Sequence, residues 1–176
     1  MVSLARPFLA DSHFVAKAQS GRAHHIAPCI ACNQACLDHT FSGKISSCLV
    51  NPRACFETEL VVKPAKITKK VAVVGAGPAG LSTAITAAEC GHQVTIFEKS
   101  DAIGGQLNLA KKVPGKEEFW GLVDWFQARL EDLPIDLRLG QEAQADDLID
   151  FDEVISATGV RPRDPEIPGQ GGGQVH

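Results

Sequence analysis

Four cysteines carry the most distinctive chemistry in this chain: Cys29-x-x-Cys32-x-x-x-Cys36, then Cys48 after eleven further residues. Three closely spaced thiolates on a turn, with a fourth reaching back, can surround a cubane. Iron–sulfur ligation uses four cysteines, often with such a tight leading group. Zinc sites more often pair two knuckles of the C-x2–4-C type, so the three-plus-one spacing favours a [4Fe-4S] cluster and leaves zinc open. Cys55 and Cys90 lie outside the spacing. Cys90 is expected to act as a small buried hydrophobe, and Cys55 as a spare thiol or an ordinary surface one. His24 and His25, just ahead of the group, are expected at the surface because four thiolates already complete a ligand set.

The second constellation is Gly75-x-Gly77-x-x-Gly80, directly after a short apolar run and at the start of a helical pattern. In that context each glycine has a physical role: a tight turn, close approach of backbone to a pyrophosphate, and close helix–strand packing. The intervening Ala76, Pro78 and Ala79 complete the loop, whose amides and helix dipole would hold phosphates. Glu98, eighteen residues after Gly80 and followed by Lys99, ends the next apolar run. A carboxylate there accepts hydrogen bonds from a ribose and repels a 2′-phosphate, which selects FAD or NAD(H) over NADP(H). Gly104-Gly105-Gln106 and Ala157-Thr158-Gly159 lean the site toward FAD, since small residues let backbone come close to a ligand. The competing reading is a glycine turn kept only for strand–helix packing.

These residues need a scaffold, and the pattern supplies one. Val71–Val74, Val94–Phe97, 135–139 and 153–157 read as strands. Leu81, Ala84, Ile85 and Ala88 recur at helical spacing with Gly91 as a stop, and Phe119, Leu122, Val123, Phe126 and Leu130 mark another helix ending near Pro134. Strand and helix alternate, so residues 65–169 are expected to form an α/β, Rossmann-like FAD/NAD(P)-binding three-layer unit with a parallel sheet. A small irregular iron–sulfur segment, residues 22–64, precedes it and shows no sustained periodicity. A short helix over 11–21, capped by Asp11 or Ser12, falls in the first segment, 1–21, and residues 170–176 read as a flexible glycine-rich tail.

Composition narrows the class. The chain has 176 residues, 44% hydrophobic and 22% charged, with a net charge of −4 and no tyrosine. The charge has the wrong sign for a nucleic-acid binder working by electrostatics, and no tyrosine in this chain can act as proton donor. Residues 1–70 carry nine Lys/Arg against four Asp/Glu, and residues 71–176 eight against seventeen. The positive first part would offset the charge of about −2 on an oxidised four-thiolate cluster. The longest uncharged run, 71–88, is interrupted by the glycine loop and is not a membrane span. With no export signal visible, the cysteines are expected reduced in the cytoplasm, which favours metal ligation over disulfides.

Ala5-Arg6-Pro7-Phe8-Leu9-Ala10-Asp11, Cys29-Ile30-x-Cys32-Asn33-Gln34-x-Cys36, Cys48-Leu49-Val50-Asn51-Pro52 and the Gly75–Gly80 loop occur here in that order. In this the chain resembles the middle of a 2,4-dienoyl-CoA reductase, within the NADH:flavin oxidoreductase / trimethylamine dehydrogenase family, over about residues 2–169. The resemblance implies an electron path from NADPH to FAD, through a [4Fe-4S] cluster in single electrons, to FMN in a preceding barrel. Ala5-Arg6-Pro7 is similar to the last phosphate-binding stretch of that barrel, so residues 1–21 would be its remnant. The barrel with its FMN, the NAD(P)H domain and the family's proton donors have no counterpart in these residues. The chain therefore reads as a fragment with no catalytic residue of its own, an electron-transfer module that needs a separate flavin-barrel or NAD(P)H-domain polypeptide. The alternative is a non-enzymatic remnant, a metal-stabilised, zinc-containing nucleotide-binding module.

Overall fold

The computed structural model describes residues 3–161, 163, 167 and 168. Four parallel strands, β1 (Lys70–Val74), β2 (Gln93–Glu98), β3 (Ile135–Leu139) and β4 (Glu153–Ser156), form one sheet in the order β3-β2-β1-β4. The α/β fold with a parallel sheet is the one expected from the alternation of patterns. The alternating residues Val71, Val73, Val94 and Ile96 join Leu81, Ala84, Ile85 and Ala88 of α4 (Pro78–Glu89) in the buried core. Leu122, Val123, Phe126 and Leu130 of α6 (Glu118–Glu131) close that core. Their spacing of three and four residues puts them on one stripe of the helix. On the opposite face of the sheet, fully buried Phe97 meets the Phe151 ring edge-on at 5.9 Å. A 3-10 turn, Ala145–Leu148, lies in the same β3–β4 connection.

The chain runs from β1 outward to β2 and β3, then returns to β4 on the other side of β1. In open parallel sheets, ligands bind at such a reversal, outside the carboxyl ends of the strands. Register sharpens the position. Val74 pairs with Phe97 on one side and Ser156 on the other, so Gly75 emerges between Glu98 and Ala157.

Residues ahead of β1 pack along the core instead of forming one of their own. The helix expected over 11–21 is present as the shorter α2 (Phe14–Gln19), and a second one, α1 (Arg6–Ala10), precedes it where none was expected. Asp11 and Ser12 do not cap α2, whose N-cap is His13 without a side-chain cap. The Asp11 carboxylate is buried and already engaged, accepting from the amides of His13 and Ala27, both at 2.9 Å, and from Lys17 Nζ at 2.6 Å. Beyond that, residues 22–64 contain a 3-10 turn (Ala23–His25), one short helix, α3 (Leu37–Phe41), and turns. A short α5 (Leu107–Ala110) after β2 has no counterpart in the apolar periodicity. The glycine-rich residues 170–176 lie outside the described residues.

Candidate functional site

The fingerprint loop separates its three glycines by role. Gly75 sits at φ +109°, where L-residues are strained, and a Cβ there would run into the Ala157 carbonyl. A Cβ on Gly80 would overlap the carbonyl oxygen of Gly75. Both glycines are required for the fold itself. Gly77 differs: its backbone is extended, it is the N-cap of α4, and a Cβ there would meet nothing within 4 Å. No side chain caps the helix, so the first-turn amides of α4 are left without intrahelical acceptors. Such an end is a ready anion site. Gly105 flanks it, its Cβ position 3.0 Å from the Gly77 Cα.

Glu98 is buried, 8% exposed, and its two oxygens accept from the Ala76 amide at 2.7 Å and the Ser100 amide at 2.9 Å. Burial pushes its carboxyl up, but those amides outweigh burial and hold it below the ordinary carboxylate value. Glu98 thus clamps the glycine loop as well as facing a cavity. That cavity, of about 320 Å³, is lined by Gly75, Glu98, Lys99, Thr158 and Gly159 together with Gln141–Ala143, Val160 and Arg161. The Gln106 amide nitrogen donates to the Val160 carbonyl at 3.0 Å. Lys99, Thr158 and Gly159 are exposed, and Ala157 is half-buried beneath Gly75 and Gly80. No sequence pattern marks residues 141–143 and 161. The signal that finds them is topological: they follow β3 and β4, at the same carboxyl edge of the sheet, and the Gln141 amide donates to the Glu98 carbonyl.

Cys29, Cys32, Cys36 and Cys48 line one small cavity, and all four are half-buried. Ala31 and Asn33 adopt φ of +51° and +60°, which folds the leading group into a knuckle around Cys32. Burial pushes the Cys48 thiol up, the amides of Asn51 and Val50 point at it and lower it, and neighbouring Cys29 and Cys32 add to the rise. Hydrogen-bond donors aimed at a sulfur in a half-buried thiol set suit a bound thiolate cluster. Among the described residues, no group of three or more His, Cys, Asp or Glu is arranged to hold a metal ion.

Cys55 is exposed and does not line this cavity, and Cys90, expected buried, is half-buried at the C-cap of α4. His24 is exposed, but the expectation of a surface His25 is corrected: it is 7% exposed. Its carbonyl accepts from Trp125 Nε1 at 3.0 Å and Lys17 Nζ at 2.9 Å, which pulls the residue against α6. Its Nδ1 lies 3.0 Å from Asp132 Oδ2 without forming a hydrogen bond. Among the described residues, no helix is long and apolar enough to cross a membrane.

Residues 69–176 match the family model described as pyridine nucleotide-disulphide oxidoreductase. The chain is 41% identical to the metal reductase of Desulforamulus reducens over 99% of its length and 27% of that protein's. It is also 41% identical to the NADH oxidase of Thermoanaerobacter brockii, over 96% of this chain and 26% of that one. A solved 2-naphthoyl-CoA reductase, in complex with 2-naphthoyl-CoA, superposes with a TM-score of 0.89 at 40% identity, covering 94% of this chain and 26% of its own. The chain thus spans about a quarter of the length of the curated relatives it matches.

Proposed function

The chain belongs to the pyridine nucleotide-disulphide oxidoreductase family, and from that premise we propose that it forms the electron-transfer portion of an NAD(P)H-dependent flavin/iron–sulfur oxidoreductase. Residues 22–64 hold a [4Fe-4S] cluster on Cys29, Cys32, Cys36 and Cys48. Residues 65–169 hold the ADP half of FAD, and residues 1–21 end a preceding flavin-binding barrel. The protein works in the cytoplasm, where these thiols stay reduced. The observation that carries the reading is the meeting of four thiols, from two separate stretches of chain, on one cavity. When bound, FAD takes the two electrons of a hydride and the cluster passes electrons one at a time.

The protein's own groups bind and orient. Amides after Gly77 receive the pyrophosphate, with Gly105 giving it room. Glu98 fixes the loop through Ala76 and accepts from the adenosine ribose through its remaining lone pairs. Lys99, Gln106 and Ala157–Gly159 line the rest of the ligand's path. The substrate class is the activated double bond of an acyl-CoA, as in 2,4-dienoyl-CoA reductase. That choice is supported by the likeness to a reductase of 2-naphthoyl-CoA and by the order of motifs. FMN and the site of reduction belong to a flavin barrel outside this chain, whether in the same polypeptide or a partner.

Anaerobic purification with iron, sulfide and zinc assays tests the cluster, and calorimetry with ADP, FAD and NADP⁺ tests the nucleotide half. Four iron and four sulfide per chain are expected of a [4Fe-4S] cluster, about the cubane stoichiometry, with comparable binding of ADP and FAD. Stoichiometric zinc without sulfide would replace this reading with that of a zinc-stabilised module.

A further inference from the structure

We propose that the cleft between the sheet unit and the residues ahead of it binds a small zwitterion with an apolar body, the chemistry of an apolar α-amino acid. The cleft has a volume of about 400 Å³, and none of its lining residues lines the nucleotide cavity or the thiol cavity. That volume is ordinary for a small-molecule site, and such sites favour the seams between structural units. Helices supply part of the wall: Ile85 and Glu89 lie four residues apart on α4, and Trp125 and Arg129 four apart on α6. That spacing puts each pair on one helix face. Leu60, Val61 and Val62 add apolar surface from the segment ahead of β1. The Trp125 ring is fixed in place by its Nε1, which donates to the His25 carbonyl at 3.0 Å.

Charge selects the ligand. Three Lys/Arg and three Asp/Glu line the cleft, so it offers no net charge to a simple ion. Four of the six are engaged with each other: Lys17 holds the buried Asp11 at 2.6 Å, and Arg129 holds Glu89 at 2.9 Å. Arg53 and Glu57 remain. Among the described residues, the Arg53 guanidinium forms no ion pair or hydrogen bond, and Glu57 accepts the Cys55 amide on Oε1 at 3.1 Å but nothing on Oε2. The two stand on consecutive turns, closed by the Phe56 amide on the Arg53 carbonyl and the Leu60 amide on the Phe56 carbonyl, both at 2.8 Å. A guanidinium fork takes a carboxylate in two parallel hydrogen bonds, and a free carboxylate oxygen takes an ammonium. A ligand that carries both groups on one carbon, with its side chain against Trp125, Ile85 and Leu60, matches what the lining leaves open. A plain anion or a plain cation would leave one of the two residues unmatched. Both are exposed, so water competes and the affinity is modest.

The experiment is calorimetry on the full chain, purified anaerobically, with L-phenylalanine, phenylpropionate and phenylethylamine at neutral pH. Phenylalanine carries both charged groups, and each of the other probes lacks one. Phenylalanine is expected to bind about tenfold more tightly than either, the effect of one hydrogen-bonded charge. Arg53→Gln is expected to weaken phenylalanine and phenylpropionate by a similar factor and to leave phenylethylamine unchanged. Glu57→Gln should do the reverse, weakening phenylalanine and phenylethylamine alone. Trp120→Phe leaves Trp125 as the one tryptophan of the chain, and its emission is then expected to change as phenylalanine is added. The probe series on the parent chain decides the matter even where a variant folds poorly. Absence of phenylalanine binding, or equal affinity for all three probes, overturns the proposal. So do losses in the two variants that fail to follow the missing group, and so does an unchanged Trp125 emission at saturating phenylalanine.

Discussion

The two halves of this molecule are held together by different physics. Residues 69–159 bury a continuous apolar core in which Val73, Ile96, Leu81 and Ala84 have no exposure at all. Residues 22–64 bury Ala27, Ile30, Ala35 and Ala54 as their apolar complement, while Phe41 is 84% exposed and Leu37, Ile45 and Leu49 are exposed too. Ile30 alone of those buried residues joins the main core. At roughly 25 cal/mol per Å² of buried apolar surface, three alanines and an isoleucine contribute little against the entropy of ordering some forty residues. The sheet unit can fold on its core, whereas the cysteine segment needs attachment to the sheet unit and, on the proposed function, to a cluster on its four thiols.

Cys36→Ala draws that contrast most sharply. On the proposed function it removes one ligand, releases the cluster, and leaves the segment without its organising centre. Hydrogen exchange is expected to show residues 29–55 losing most of their protection while β1, β2 and α4 keep theirs. Equal loosening of both regions would mean that the sheet unit depends on the cluster, and the two halves would no longer differ in what holds them. Gly80→Ala attacks the opposite half. Its added methyl overlaps the Gly75 carbonyl oxygen, and backbone cannot step aside as a flexible side chain can. A loss of about 3 kcal/mol or more in urea unfolding is expected.

Most of the sheet unit is legible in the residues because hydrophobic periodicity reports a core directly. Strands β1 and β2 and helices α4 and α6 follow from apolar spacing, and the glycine loop from its position between them. The cysteine spacing is equally plain, and the structure brings the four together. What escapes the sequence is everything fixed by contacts between distant residues. Asp11 has the type and place of a helix cap, yet its carboxylate serves an amide sixteen residues on. His25 carries no sign of burial until Trp125, a hundred residues later, supplies its partner. Arg6 reads as part of a phosphate-binding stretch, and only the fold sets it at the thiol cavity. Likewise, the composition of 141–143 says nothing of a ligand; the return of the chain to β4 brings those residues to the crevice.

Gly77→Val tests whether binding and folding separate within the glycine loop. The extended backbone at Gly77 suits any residue, and a side chain there meets open space, so stability should change by less than about 1 kcal/mol. The same branched side chain would occupy the approach to the α4 amides. ADP and FAD affinity is expected to fall at least about 100-fold, some 2.7 kcal/mol. Unfolding comparable to Gly80→Ala would show that Gly77 is a packing glycine after all. Retained affinity would remove the α4 terminus from the nucleotide site.

The smallest effect concerns the seam between the two halves, where His25 sits. Burial lowers its pKa below the ordinary histidine value, Asp132 opposes that, and His24, Arg22 and Arg129 add to the lowering. Arg129 itself is held by Glu89 at 2.9 Å and Asp132 at 3.3 Å, so the carboxylate beside the imidazole is already shared. With the folded pKa below the unfolded value near 6.5, the unfolded chain binds more protons in the window beneath 6.5. The neutral imidazole's contribution is therefore complete above that pH and is lost as pH falls through the folded value. Asp11 and Glu98 are also lowered, but their losses begin only near their ordinary values of 3.8 and 4.5. Between about pH 6.5 and 5, then, His25 governs the slope. The parent should lose a small amount of stability across that interval, and His25→Gln, lower overall because it disturbs a buried site, should be flat across it. Urea midpoints at half-unit pH steps measure both. A parallel slope in the two proteins would assign the acid sensitivity to another group, and would leave the seam held by the Lys17 and Trp125 bonds to the His25 carbonyl alone.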